Sequence, residues 1–360
     1  MTKIIPFYLP QFHTIPENDE WWGKGFTEWT NVRKAKPYRK GQSQPRIPLN
    51  DNYYDLSKVE TLRWQAELAN KYGIYGFCFY HYWFNGKLLL EKPSQNLLAN
   101  KDIPLKFCFS WANEPWARTW DGKNTEVLMP QEYGTETEWE KHFEYLLPFF
   151  LDERYIKENG KPMFLIYKSA SIEKCEEMMN YWNALAKKNG LPGIHFVETL
   201  KKWLPETRKL PFDAKVEFEP TGAKNLSTLY LQRLRRYSIR LLNKLFKTSL
   251  PEHPSISFDE EVNKSLSNLS PEGTYPGVFM GWDNSPRTKE KGIFISRPSK
   301  SQFKEYLKKK IDIGKNVYKT DYLFINAWNE WAEGTYLEPD TEMGYAYLEA
   351  ISETLNENMK

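Results

Sequence analysis

No stretch of this 360-residue chain approaches the ~20 consecutive apolar residues needed to cross a bilayer, so the sequence holds no candidate transmembrane helix. Cysteine is scarce. Cys78, Cys108 and Cys175 are an odd number in a long chain, and two of them lie inside apolar runs, which argues against a disulfide framework and for a reducing compartment. An excess of one charge is also missing: 50 Lys and Arg stand against 47 Asp and Glu, a net +3, so no global field draws nucleic acid and any basic surface must be local. The first ten residues are too short and proline-broken an apolar stretch to be a signal peptide, and the expectation is a soluble, cytoplasmic protein. No Gly-rich phosphate loop follows a strand, and HExxH, zinc-spaced Cys/His and the nucleophile elbow are all absent, so neither metal nor cofactor is expected. Asp121, Asp283 and Glu114 leave open a cation site for a nucleotide sugar.

What the chain has instead is tryptophan. Ten of its fourteen fall where apolar, strand-like runs end. Those runs occupy residues 3 to 9, 74 to 80, 105 to 110, 163 to 168, 194 to 198, 214 to 219, 276 to 282 and 321 to 327, most of them followed by helix-like segments. Eight β/α units predict one (β/α)8 (TIM) barrel domain over 1–360, with a long loop after strand one (11 to 56) and a helical insert between strands six and seven (223 to 274). Ser57 and Glu60 read as a capping box for a helix that Gly73 ends, and further helices are expected at about 136 to 157, 171 to 189, 300 to 316 and 341 to 358. The connection at 199 to 209 has no helical pattern. Residues 229 to 247 carry six basic residues and no acid.

In such a barrel the active site lies at the carboxyl ends of the strands. Those positions hold Tyr8, Gln11, His13, Glu28 and Trp29 after strand one, and Tyr80, His81, Tyr82 and Trp83 after strand two. Trp111, Asn113, Glu114 and Trp116 follow strand three, and Trp282 and Asp283 follow strand seven. After strand eight, Trp328-Asn329-Glu330-Trp331-Ala332-Glu333 places two acids i, i+3 among indoles. Aromatic faces stack on sugar C–H surfaces, and apolar neighbours raise a carboxyl pKa so that it can act as a general acid. Glu330 and Glu333 are therefore the candidate catalytic pair of a glycan-active enzyme.

Ile5-Pro6-Phe7-Tyr8-Leu9-Pro10-Gln11-Phe12-His13, Gly25-Phe26-Thr27-Glu28-Trp29, the run from Gly76 to Phe84, Ser110-Trp111-Ala112-Asn113-Glu114-Pro115-Trp116 and the run from Trp328 to Pro339, which includes Glu338, together resemble the WbsX-like proteins. These are named as glycosyltransferases of surface polysaccharide gene clusters and are related to glycoside hydrolase family 99. The resemblance implies a (β/α)8 barrel and, from the hydrolase relatives, metal-free retaining cleavage of α-mannosidic bonds through a 1,2-anhydro sugar. It makes Glu330 the base at O2 and Glu333 the acid/base, with sugar contacts expected from Tyr8, Tyr80, His81, Trp111, Asn113 and Trp282. Transfer from a nucleotide-sugar or lipid-linked donor in O-antigen or capsule biosynthesis is the alternative, and a non-catalytic glycan-binding barrel is another. The partner expected is an oligosaccharide or lipid-linked glycan. The basic segment at 229–247 is similar to an interfacial helix, with Leu231, Leu234, Leu241, Leu242, Leu245 and Phe246 on one side, which predicts peripheral contact with the inner membrane.

Overall fold

The computed structural model describes residues 2–117, 126–200, 206–220 and 229–357, with side chains in the 229–246 helix described from residue 234 onward. Eight parallel strands make the wall. They are β1 (Lys3–Tyr8), β2 (Phe77–Phe84), β3 (Phe107–Trp111), β4 (Lys161–Ile166), β5 (His195–Leu200), β6 (Ala214–Glu217), β7 (Thr274–Tyr275 and Gly277–Phe279) and β8 (Tyr322–Asn326). Each pairs with its sequence neighbour, and β8 returns to β1 with Lys3 opposite Tyr322 and Pro6 opposite Ile325. The ring closes through β7, whose first piece pairs with β6 and whose second pairs with β8. Pro276 divides the two pieces because it has no N–H to contribute to a ladder, although its carbonyl still accepts from Phe324 N. Gly277 follows because a Cβ there would collide with the Glu217 carbonyl across the strand pair.

Continuous apolar runs form these strands because helices cover one face and packed side chains the other. β8 is buried at every residue. The helices are α1 (Pro16–Trp22), α2 (Glu28–Lys34), α3 (Val59–Lys71), α4 (Lys92–Ala99), α5 (Glu136–Phe150), α6 (Cys175–Lys188), α7 (Leu229–Phe246), α8 (Phe258–Ser267), α9 (Ser285–Thr288), α10 (Lys300–Ile313) and α11 (Ala346–Glu357). Capping boxes start α5 (Thr135, Glu138) and α10 (Ser299, Gln302).

Several boundaries differ from the sequence expectation. β2 runs on to Phe84 because Asn85 and Gly86, both at positive φ, turn it into a hairpin with Lys87–Leu89. The capping box at Ser57 does not form: α3 begins at Val59 behind Lys58, and Ser57 N donates instead to Asp55. α5 ends at Phe150, seven residues earlier than its pattern predicts, where Asp152 accepts from Arg154 in a tight turn. Between β5 and β6 the described residues contain no helix. After β6, α8 buries Phe258 and Val262 against the barrel, whereas no described side chain of α7 is buried.

Candidate active site

Beyond β8 the chain makes a small hairpin. Asn329–Glu330 pairs with Thr335–Tyr336 around a turn at Trp331–Glu333, and Gly334 closes it at φ 65°. The i, i+3 spacing of Glu330 and Glu333 is thus realised in a single 3-10 turn. Asn329 fastens this hairpin to β1, its Oδ1 accepting from Leu9 N at 2.7 Å and its Nδ2 donating to Leu9 O at 2.9 Å. Trp331 stacks on Tyr336 at 3.8 Å and donates to Glu338 at 2.7 Å.

Both carboxylates reach Arg287 of α9. Its Nη2 donates to Glu330 at 2.9 Å and its Nη1 to Glu333 at 2.5 Å, while its Nε donates to Glu28 of α2 at 3.2 Å. Burial pushes the Glu330 carboxyl well above its ordinary value; Arg287 opposes that shift, and the neighbouring Glu333 and Glu28 reinforce it. Glu333 is raised too, by burial against the pull of Arg287. Burial works against the Arg287 charge, but the three carboxylates outweigh it and hold the guanidinium protonated.

The pair opens into a cavity of about 410 Å³ at the carboxyl ends of the strands, within the ~300–1,000 Å³ common for small-ligand sites. Its walls come from Leu9 and Gln11 after β1, Tyr80 and Tyr82 of β2, Ala112, Glu114, Pro115 and Trp116 after β3, and Tyr167 after β4. Phe218 and Pro220 follow from β6, Trp282 and Arg287 from β7, and Asn326, Glu330 and Glu333 from β8. A second cavity of about 230 Å³ adjoins across Trp116 and holds Trp22 and Phe26.

Eight residues expected at the strand ends from sequence meet here: Glu330, Glu333, Gln11, Tyr80, Tyr82, Glu114, Trp116 and Trp282. Glu28 stands one bond behind, on Arg287. The other expected contacts do not line the cavity: each is buried, and all but His13 are bonded or packed elsewhere. Tyr8 donates to Gln65, His13 is buried, and Trp29 donates to the Tyr54 carbonyl. His81 contacts His142 at 2.8 Å and is pushed down to about 3 by burial, so it stays neutral. Trp111 donates to the Trp83 carbonyl, and Asn113 bonds both backbone groups of Lys168. Asp283 accepts from Gln42, Gln44 and Ser285 N, which orders the turn that delivers Arg287. Trp328 packs on Phe77, Asn329 and Trp331 hold the hairpin as described, and Glu338 lies beneath it. Asp121 falls outside the described residues, and among those described no group of three or more His, Cys, Asp or Glu is placed to hold a metal ion.

Sequence reasoning missed Tyr167 and Arg287. Tyr167 is the first residue past β4 and could have been found by the same strand-end rule. Arg287 sits in a four-residue helix with no periodicity; the only available signal was chemical, since three crowded carboxylates call for a cation.

The class these features define is a parallel (β/α)8-type barrel with acids and aromatic rings converging at the carboxyl ends of its strands. The profile of the glycosyltransferase WbsX family matches residues 4–351, and the chain belongs to that family. It is 38% identical over 354 residues to the uncharacterized protein WxcX of two Xanthomonas campestris pv. campestris strains. Those matches cover 98% of this chain and 49% of WxcX, so the chain spans about half the length of the curated relatives it matches. Among solved structures, a family 99 endo-alpha-mannosidase from Bacteroides thetaiotaomicron matches 98% of this chain and 96% of its own at TM-score 0.57 and 16% identity. A glycoside hydrolase-like protein matches 98% and 93% at TM-score 0.59 and 14% identity. At those identities the likeness is one of fold.

Proposed function

We propose that the chain is one catalytic domain over 1–360, carrying the basic insert at 223–274, that cleaves or transfers a mannose-like glycosyl unit with retention in bacterial surface polysaccharide metabolism. In this reading Glu330 takes the proton from O2 of the sugar, and O2 attacks the anomeric carbon from the face opposite the leaving group. Glu333 gives its proton to the departing oxygen. Water or an acceptor hydroxyl then opens the 1,2-anhydro ring, returning a proton to Glu333, while O2 regains its proton from Glu330. The single observation that supports this best is that both carboxylates share one guanidinium inside one aromatic-walled cavity. The adjoining cavity across Trp116 offers room for the leaving or accepting residue.

The family's description favours transfer, with a nucleotide-sugar or lipid-linked donor as the second reading. Against a free diphosphate donor, Arg287 is the only cation among the described residues lining the cavity, and three carboxylates already hold it. A glycan product assay with and without nucleotide sugars tests this. Expected is product release without the donor, lost in Glu330→Gln, and no cleavage of a 2-deoxy substrate. Strict dependence on the donor would establish the transferase instead. No turnover by the parent protein, with ligand binding retained in Glu330→Gln, would establish a binding barrel.

Peripheral membrane contact through 229–247 belongs to the same proposal. Arg240 pairs with Glu252 and Arg235 donates to the Glu252 carbonyl, so part of the cationic side faces the body of the protein. Leu234, Tyr237, Leu241, Leu242, Leu245 and Phe246 are exposed; Leu231 lies outside the described side chains. Glu252 N donates to the Glu290 carbonyl in the loop after β7, which puts the insert at the cavity's end of the barrel. No described helix is long and apolar enough to cross a membrane. A reducing, cytoplasmic location belongs to the same reading, on the ground that three cysteines are an odd number and two of them lie in apolar strands.

A further inference from the structure

We propose that Arg287 and Glu28 are positioning residues for the acid/base pair, so that the working unit is a four-member charge cluster drawn from three separate segments of the chain. The inference rests on the reading of Glu330 and Glu333 given above.

The geometry carries it. All three nitrogen positions of the Arg287 side chain are committed, each to a different carboxylate, at 3.2, 2.5 and 2.9 Å. A guanidinium is a rigid planar fork, so this arrangement fixes the two hairpin carboxylates relative to each other as well as to Arg287. The fork itself is anchored: Arg287 N donates to the Asn284 carbonyl, and Asn284 Oδ1 accepts from Ile293 N. Glu28 is fully buried and its Oε2 takes both Arg287 and Asn31, while its Oε1 has no hydrogen-bond partner. Three carboxylates around one guanidinium would sum to −2 if all were ionised, which a buried site does not sustain. The cluster must therefore hold protons, and Arg287 and Glu28 act on where they reside with opposite sign: the guanidinium favours ionised Glu330 and Glu333, and the Glu28 carboxylate disfavours them. The other titratable groups facing the pair are Tyr80 and Tyr82 of β2, Tyr167 after β4 and Glu114, itself paired with Lys168. Asp283 and Arg46 flank Gly334.

The opposed signs give a test that needs no substrate. In the full chain labelled with carbon-13 at the glutamate side-chain carboxyl, NMR titration reads each midpoint, with Glu330→Gln and Glu333→Gln proteins assigning the two resonances. Arg287→Met should move both midpoints up by about 1 pH unit or more, and Glu28→Gln should move both down by a similar amount. Arg287→Lys, which keeps the charge and loses the fork, should lie between the parent and Arg287→Met. If Arg287→Met fails to fold, the near-isosteric Glu28→Gln still decides by its downward shift. Midpoints that stay put, or that move the same way in both variants, overturn the proposal. Opposed midpoints in a protein that turns over no glycan would leave the cluster standing and remove the catalytic reading.

Discussion

Glu338 gives the sharpest stability prediction. It lies under the hairpin, 3% exposed, accepting from Trp331 Nε1, Tyr54 OH and Gln65 Nε2, each at 2.7 Å. Burial outweighs those hydrogen bonds and pushes its carboxyl from an ordinary 4.5 up to about 7. Below pH 4.5 the group is protonated in both the folded and unfolded chains. Between 4.5 and about 7 the unfolded chain releases the proton while the folded chain keeps it, so this residue makes stability fall as pH rises. At ~1.4 kcal/mol per pH unit the loss totals about 3 kcal/mol. Glu338→Gln keeps the shape, and its hydrogen bonds survive if Gln65 turns over so that its oxygen accepts from the new amide while its nitrogen donates to Tyr8. Urea unfolding of parent and variant from pH 4.5 to 8 should therefore show the variant gaining about 3 kcal/mol on the parent as pH rises. A difference that stays flat across that range would refute the account of a buried, protonated carboxyl.

Glu333→Gln should lose far more activity on substrates with poor leaving groups than on activated aryl glycosides, because only the former need proton donation; equal loss on both would count against its role as the acid. The exposed apolar side of α7 should bind anionic vesicles at low salt and release them at high salt, with basic residues contributing on the order of 1 kcal/mol each near the surface; sedimentation that ignores salt or lipid charge would reject membrane contact. Lys310 is fully buried and donates to Glu217 at 2.7 Å, so Lys310→Met should cost ~3–5 kcal/mol by stranding a carboxylate. Adding Glu217→Gln should recover part of that in the same denaturation assay.

The barrel could be read from the chain because a parallel strand covered on both faces is a short apolar run, and β1, β3, β4, β6 and β8 all lie close to their expected places. What could not be read was anything set by contact between distant residues. Pro276 splits β7 without ending it, because the same residue that denies one ladder an N–H offers its carbonyl to the other. Gln65 sits among buried positions of α3 because Tyr8 and Glu338, 57 residues before it and 273 after it, each complete its amide. The position of the acids was legible in the same local way. The direction of most strand-end side chains was not, since one residue of offset turns a side chain from the cavity to the helix layer outside the barrel, as His81 on His142 of α5 lies between Tyr80 and Tyr82.

The tryptophans show why. Ten indoles at strand ends suggest ten ligand platforms, yet of those described Trp116 and Trp282 line the main cavity and Trp22 the adjoining one, while Trp29, Trp83, Trp111, Trp328 and Trp331 are buried. Trp83 and Trp111 pack on His142 of α5, at 4.5 and 4.8 Å, whereas Trp29, Trp328 and Trp331 gather around the segment that carries the two acids. Trp328 packs against Phe77 at 4.6 Å, and Trp331 lies between Tyr336 at 3.8 Å and Trp29 at 5.4 Å. A two-residue hairpin has too few ladder hydrogen bonds to hold a pair of acids still, and acid/base chemistry tolerates little misplacement. Large flat rings wedged behind the turn supply that rigidity through packing, and the indole N–H of Trp331 ties it to Glu338. The same composition that reads as a sugar-stacking surface is thus spent mostly on packing, three of its indoles behind the turn that bears the carboxylates, leaving tyrosines 80, 82 and 167 and two indoles to face the main cavity.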